Sequence, residues 1–225
     1  VQNVKQDELT RVKDANLINS LNGKIAGVNI QSSSSGVGGA TKVVMRGVKS
    51  IEGSNNALYV IDGVPMFNSV GDEGSGRYAS RGSTEGIADL NPEDIESMTV
   101  LTGASAAALY GSSAANGAIL ITTKKGKEGK LEATFSSSME FAHPFIMPEF
   151  QNTYGSLPNA AVSWGEKQPS TGYSPTDFFK TSATYTNAVT LSMGSEKSQT
   201  YASLAATNAN GLIPNNVYDR TVVAS

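Results

Sequence analysis

GSNNALYVIDGVP, residues 53–65, is the stretch whose reading decides the fold. A polar turn feeds an apolar and aromatic run, and a second turn closes it. Leu58, Tyr59, Val60 and Ile61 show no polar alternation, as expected of a strand buried on both faces rather than one with a wet side. Asp62-Gly63 stops the run: Asp tolerates turn geometry, Gly supplies positive φ, and Pro65 lacks a donor where pairing is expected to end. A strand of this kind requires a sheet covered on both sides, and the flanking sequence supplies the covers.

On the N-terminal side, residues 7–27 read as a helical region, with Asp14 as cap, Leu17, Ile18, Leu21 and Ile25 at helical spacings, and Gly23 and Gly27 as its close. Residues 28–31 and 42–48 are strand candidates around a glycine-rich turn, SSSSGVGG, at 32–39. The opening strand is expected over 57–64. On the C-terminal side, the segment between Pro65 and Ala88 is long and rich in Gly and Ser, a length that within compact domains usually marks function or disorder. Asn91-Pro92-Glu93-Asp94 marks a helix start, with a cap, a proline at the first helical position and acids at the positive dipole end. Residues 95–101 read as strand, 105–110 as a small-residue helix ended by Gly111, and AILITT at 118–123 as a buried strand. Residues 1–125 therefore read as one α+β domain.

Beyond it the pattern changes. KKGKEGK, residues 124–130, is a basic hinge, and residues 131–141 then alternate strictly: Leu131, Ala133, Phe135, Met139 and Phe141 against Glu132, Thr134, Ser136, Ser138 and Glu140. A two-faced strand of that length crosses a bilayer when tilted. Segments 184–193 and 200–208, joined by GSEKSQ, alternate more weakly, and a further run begins at Val217. Two architectures fit: the start of a transmembrane β-barrel, or an antiparallel meander on a soluble β-rich ligand-binding or adhesion domain. In the first case 126–225 is an incomplete barrel, since the smallest membrane barrels use about eight strands.

Composition narrows the chemistry. With 225 residues the chain is long enough for a substantial core, and a net charge of −3 gives no basic footprint for a nucleic acid. The absence of cysteine excludes disulfides, thiolate zinc sites and a cysteine nucleophile. The only histidine, His143, stands before Pro144 at the end of the alternating strand, a poor base for a triad or a multi-histidine metal site. Gly36, Gly38 and Gly39 lack both the dinucleotide spacing and a Walker lysine. Asp72, Glu73, Asp89, Glu93 and Asp94 lack calcium-loop spacing, and helix capping accounts for three of them. No catalytic residue, metal site or cofactor is therefore assigned.

GSNNALYVIDGVP resembles the signature segment of SusC/RagA-type TonB-dependent transporters of the Gram-negative outer membrane. Residues 91–130, NPEDIESMTVLTGASAAALYGSSAANGAILITTKKGKEGK, look like the second half of the same plug domain. LNGKIAGVNI before the opening stretch, and FFKTSATYTNAVTLSMGSEKSQTYASLAATNANGLIPNN after the plug, also look like family segments. The resemblance implies a plug at 1–125 inside a large barrel whose first strands occupy 126–225, the plugged 22-stranded class, with the TonB box and most of the barrel outside this sequence. It implies energy-driven import of oligosaccharides, or of oligopeptides, gated by plug rearrangement. The implied partners are a SusD-like surface lipoprotein and TonB, the latter through an upstream segment. It further implies that the turns flanking 58–61 face the outer cavity, making Lys49, Asn55, Asn56, Met66, Phe67, Asn68, Arg77, Tyr78 and Arg81 candidate substrate contacts. Aromatic faces suit sugar rings or apolar side chains, and Arg and Asn supply fixed donors. Thr102 and Ser113 depart from the pattern, standing where members often carry a basic residue. No plug-to-wall ion pair is drawn from those two sites.

Overall fold

The computed structural model describes residues 2–11, 13–33, 36–51, 55–66, 85–159, 163–168 and 174–225. The first part of the chain runs β1 (Gln2–Lys5), α1 (Gln6–Leu9), β2 (Val28–Ser32), β3 (Thr41–Met45), β4 (Leu58–Ile61), β5 (Val64–Met66), β6 (Ile95–Leu101), α2 (Gly103–Tyr110) and β7 (Ala118–Thr123). Five of these strands form a sheet in the order β1-β6-β7-β4-β5. β4 runs parallel to β7, with Tyr59 opposite Ile119, and the remaining pairs are antiparallel.

Both faces of this sheet are covered, as the continuous apolar run of β4 demands. Tyr59, Ile119, Ile121, Met98 and Val100 project into a core shared with Leu9, Leu17, Ile18, Leu21, Ile30, Val43 and Met45 from the N-terminal elements. On the opposite face a smaller cluster of Leu101, Ala106, Ala114 and Ala118 packs with Leu58, Tyr110 and Leu120 beneath α2. The alanines of α2 let the helix lie close to the sheet, and Gly111, at φ 70°, ends it.

Four sequence expectations are corrected. Residues 7–27 are not one helix but the short α1 followed by a 3-10 turn over Leu17–Leu21. The cap of that turn is Asn16, whose Oδ1 accepts from Ile18 N at 3.0 Å, while Asp14 accepts from Asn16 N at 2.8 Å. Residues 92–94 make only a 3-10 turn, though Asn91 does cap it, accepting from Glu93 N at 3.1 Å. The opening strand does not run to 64. Asp62 (φ 46°) and Gly63 (φ 84°) form a two-residue hairpin turn with positive φ at both positions, and β5 returns beside β4. Pro65 thus lies within a strand, opposite Val60, and is tolerated because β5 is the sheet edge. The Asp62 carboxylate also secures the neighbouring strand end, accepting from Thr123 N at 2.9 Å and Thr123 Oγ1 at 2.6 Å.

The second part is a meander of β8 (Gly129–Ala142), β9 (Ser182–Gly194), β10 (Gln199–Asn210) and β11 (Val217–Ala224) in the order β11-β10-β9-β8, every pair antiparallel. These strands follow the alternating segments of the sequence, and β8 and β9 run longer than their patterns. They form an open four-stranded sheet.

Ile119, fully buried on the central strand, tests the two-sided core. Ile119→Ala is expected to cost about 2–5 kcal/mol, read as lost amide-exchange protection across β4, β6 and β7 in the full-length protein. Protection left unchanged would contradict the packing described.

Candidate functional site

The wall sheet wears its side chains the reverse of a water-soluble sandwich. Leu131, Phe135, Met139 and Phe141 of β8, and Tyr185, Val189, Leu191 and Met193 of β9, stand on the open face. Leu204 of β10 and Val223 of β11 continue that face, Val223 at 73% exposure. The buried face holds Ser182, Thr186, Ala188, Ser203, Ala205, Thr207 and Ala209. Large apolar groups left outside, with small and polar ones turned inward, fit a sheet whose outer solvent is hydrocarbon.

The inward face meets the α+β domain at a seam built on the 91–94 turn. Glu93 and Asp94 are both buried, and each is compensated. Glu93 Oε1 pairs with Lys13 Nζ at 2.5 Å, and the same ammonium donates to Ser136 Oγ on β8. Asp94 Oδ1 accepts from Tyr201 OH of β10 at 2.8 Å and from Asn91 Nδ2 at 3.3 Å. The Asp94 carbonyl accepts from Lys124 N at 2.7 Å, fixing the start of the hinge to the same turn. Farther along, Arg220 of β11 donates to the Ala88 carbonyl. Gly36 and Gly38 approach Asn216 and the Tyr218 ring so closely that a Cβ at either would collide.

The basic hinge is correspondingly not wholly solvated. Partial burial holds the Lys124 ammonium below its ordinary range, while Glu93 and Asp94 pull it back up. Behind the seam, Asn16 Nδ2 donates to Glu85 Oε1 and to Thr41 Oγ1, each at 2.7 Å, and Thr41 N donates to the same carboxylate at 2.9 Å. Burial, reinforced by this carboxylate, pushes the Tyr59 hydroxyl well above its ordinary range.

The candidate contacts divide. Lys49 is exposed at the end of the sheet opposite the hinge, and its Nζ donates to the Ala115 carbonyl at 3.0 Å. Asn55 is buried and shapes the loop: its Oδ1 accepts from Lys49 N at 2.7 Å and Ser50 N at 2.9 Å, and its Nδ2 donates to Ser50 O at 2.8 Å. Asn56 bridges to Val44 of β3. Met66 is half-buried, packed on the main core opposite Tyr59. The structure thus gathers Lys49, Asn55 and Asn56 at one end of β4, where β5 also returns Met66. Phe67, Asn68, Arg77, Tyr78 and Arg81 lie outside the described residues. Among those described, no group of three or more His, Cys, Asp or Glu side chains is placed to hold a metal ion.

The seam residues Lys13, Tyr201 and Arg220 escaped the sequence reading. Tyr201 did leave a trace, as the lone aromatic in register with the small residues Ser203, Ala205 and Thr207. Lys13 left none, because its partners are 80 and 123 positions away. Thr102 and Ser113, where a basic residue was missed, sit at the N-cap of α2 and in the short turn after it. Neither takes part in the seam hydrogen bonds described here.

The TonB-dependent receptor plug domain family matches residues 1–118. The chain is 35% identical over 232 aligned positions to the TonB-dependent receptor SusC of Bacteroides thetaiotaomicron, an alignment covering 98% of this chain and 22% of SusC. The chain thus spans about a fifth of that relative's length. Among solved structures it is similar to the RagAB peptide importer in its closed-closed state, with a TM-score of 0.69 at 22% identity, covering 98% of this chain and 27% of the importer chain. A ferric enterobactin receptor from Pseudomonas aeruginosa shares the fold with a TM-score of 0.54 at 18% identity, covering 92% of this chain and 24% of the receptor.

Removing one partner of the buried pair separates the seam from the sheet behind it. Glu93→Ala strands the Lys13 ammonium and is expected to cost about 3–5 kcal/mol. Tyr201→Phe removes one hydrogen bond to a carboxylate, at a cost of about 1.5–3 kcal/mol. Amide exchange on the full-length protein should show residues 91–95 opening sooner in both variants while β4 and β7 keep their protection.

Proposed function

This chain belongs to the TonB-dependent receptors of the SusC/RagA type, outer-membrane proteins of Gram-negative bacteria whose plug lies inside the barrel, and from that premise we propose that it forms the plug and first barrel strands of a nutrient importer. The plug occupies residues 1–125, and residues 126–225 are the hinge and the opening strands of the barrel. The supporting observation is the reversed wall, apolar toward lipid and small and polar toward the plug. A plug clamped to such a wall closes the pore, so passage requires rearrangement of the plug, powered by TonB acting on a segment upstream of this chain.

The cargo is an oligosaccharide, received with a SusD-like surface lipoprotein. Lys49, Asn55, Asn56, Met66, Phe67, Asn68, Arg77, Tyr78 and Arg81 form the plug surface that meets it. Within that group Asn55 acts through the loop it shapes, because its amide is engaged with the backbone of Lys49 and Ser50. Oligopeptide cargo is the second reading, favoured by the likeness to a peptide importer. The relatives are receptors and transporters, and the function is import rather than catalysis.

Uptake of labelled oligosaccharides by cells carrying or lacking the full-length receptor tests this reading. Import should require both the receptor and an energised inner membrane, and energy-independent import would overturn it. On the wall, Val189→Arg places a charge in lipid and is expected to cost about 2–4 kcal/mol near the bilayer midplane. Reduced outer-membrane assembly of that variant, measured by heat-modifiable mobility in gels, is the expected result.

A further inference from the structure

Residues 143–181 join β8 to β9 at the end of the wall remote from the hinge, and part of this connection folds back on itself. Tyr154 and Lys167 form an antiparallel bridge. Gly155 N donates to Glu166 O at 3.0 Å, Gly165 N to Gly155 O at 2.9 Å, and Gln168 N to Thr153 O at 3.0 Å. The Gln151 side chain fastens the base: its Oε1 accepts from Thr153 N at 3.1 Å and Tyr154 N at 2.9 Å, and its Nε2 donates to Tyr154 O at 2.7 Å. A Cβ on Gly165 would lie 2.6 Å from Ser156 O, so the hairpin closes too tightly for any side chain there.

This small scaffold carries two aromatic rings. Tyr154 and Trp164 stand with centroids 5.6 Å apart and planes inclined by 39°. Trp164 is the only tryptophan in the sequence, and it is 70% exposed. Its backbone sits at φ 80°, a conformation that bulky residues adopt only where the surroundings impose it. A strained backbone that displays an indole, rather than burying it, gains little for the stability of the connection.

We propose that Tyr154 and Trp164 form a stacking platform for the ring faces of a saccharide, an outer subsite for the oligosaccharide cargo. This deepens the transport reading and rests on it. The apolar face of a pyranose packs on an aromatic ring, and two adjacent, mutually tilted rings suit successive units of a chain that twists. Exposed Glu166 and Lys167 adjoin the rings and supply an acceptor and a donor for hydroxyl groups. A peptide would need free main-chain groups beside the rings for strand-like pairing. Here the main chains of Thr153, Gly155, Glu166 and Gln168 are bonded to one another.

Calorimetry on the full-length receptor, purified with its lipoprotein partner, tests the platform. The probes are α-1,4-glucan, β-1,4-xylan and β-1,4-mannan hexasaccharides and a pool of tryptic casein peptides. One of the hexasaccharides is expected to bind. Trp164→Gly removes the ring yet suits the positive φ, so misfolding does not explain its effect. It should weaken that binding about tenfold or more, a change of about 1.4 kcal/mol. Trp164→Phe, which keeps an aromatic face, should stay within about threefold of wild type. Wild-type affinity in Trp164→Gly would overturn the platform and leave the import reading standing. Binding of peptides alone, or of no hexasaccharide, would overturn both the platform and the saccharide cargo. Loss of the lipoprotein from the complex in Trp164→Gly, with saccharide affinity intact, would make the rings a protein contact and end the proposal.

Discussion

The buried acids of the 91–94 turn are the constraint on which the rest of the structure depends. Two carboxylates taken out of water are costly unless each finds a cation or donors. Glu93 finds Lys13, and Asp94 finds Tyr201 on the wall. Satisfying them requires the N-terminal segment, the sheet and the barrel strands to occupy one arrangement, so a local electrostatic need becomes a long-range docking rule. The same turn hands the chain to the hinge through the Asp94 carbonyl, and the wall therefore begins where the plug is held most firmly.

The plug and the wall answer to different solvents. In the plug, apolar side chains point inward and the sheet is sealed on both faces, so its stability comes from removing apolar area from water. In the wall, the large apolar groups point out and the small ones face the plug. That sheet gains its apolar environment from lipid, and its inner face is shaped for contact instead of for burial of bulk. Small inward residues such as Ala188, Ala205 and Ala209 leave the space that the plug occupies. The division also sets where change is possible: the seam joins the plug to β8, β10 and β11, whereas the Lys49 loop and the β5 edge lie at the plug's other margins.

Much of this was legible beforehand. The continuous run of β4, the small-residue helix α2, the buried strand β7 and the alternating β8 each obey local rules that the sequence carries openly. The errors arose where local preference lost to pairing. Residues 7–27 have helical spacing, yet Asp14 and Asn16 spend their side chains on neighbouring main-chain and amide groups and hold the segment in a 3-10 turn. Asp62-Gly63 was read as an ending, but positive φ at both positions makes it a reversal that adds β5. In the candidate site, Lys49, Asn55 and Asn56 were gathered at the expected end of β4, whereas the seam cation Lys13 carried no local mark.

By itself, the sequence determined the identity of the family, the order of its elements and the two-faced character of the wall, because periodicity and turn chemistry act over a few residues. Only the tertiary structure decided which acids meet which donors and which face of the wall is open. It alone brought Tyr154 and Trp164 together on the connection between β8 and β9. Those outcomes depend on groups far apart in sequence being brought within a few ångströms, and hydrogen bonding and ion pairing have no period along the chain from which they could be read.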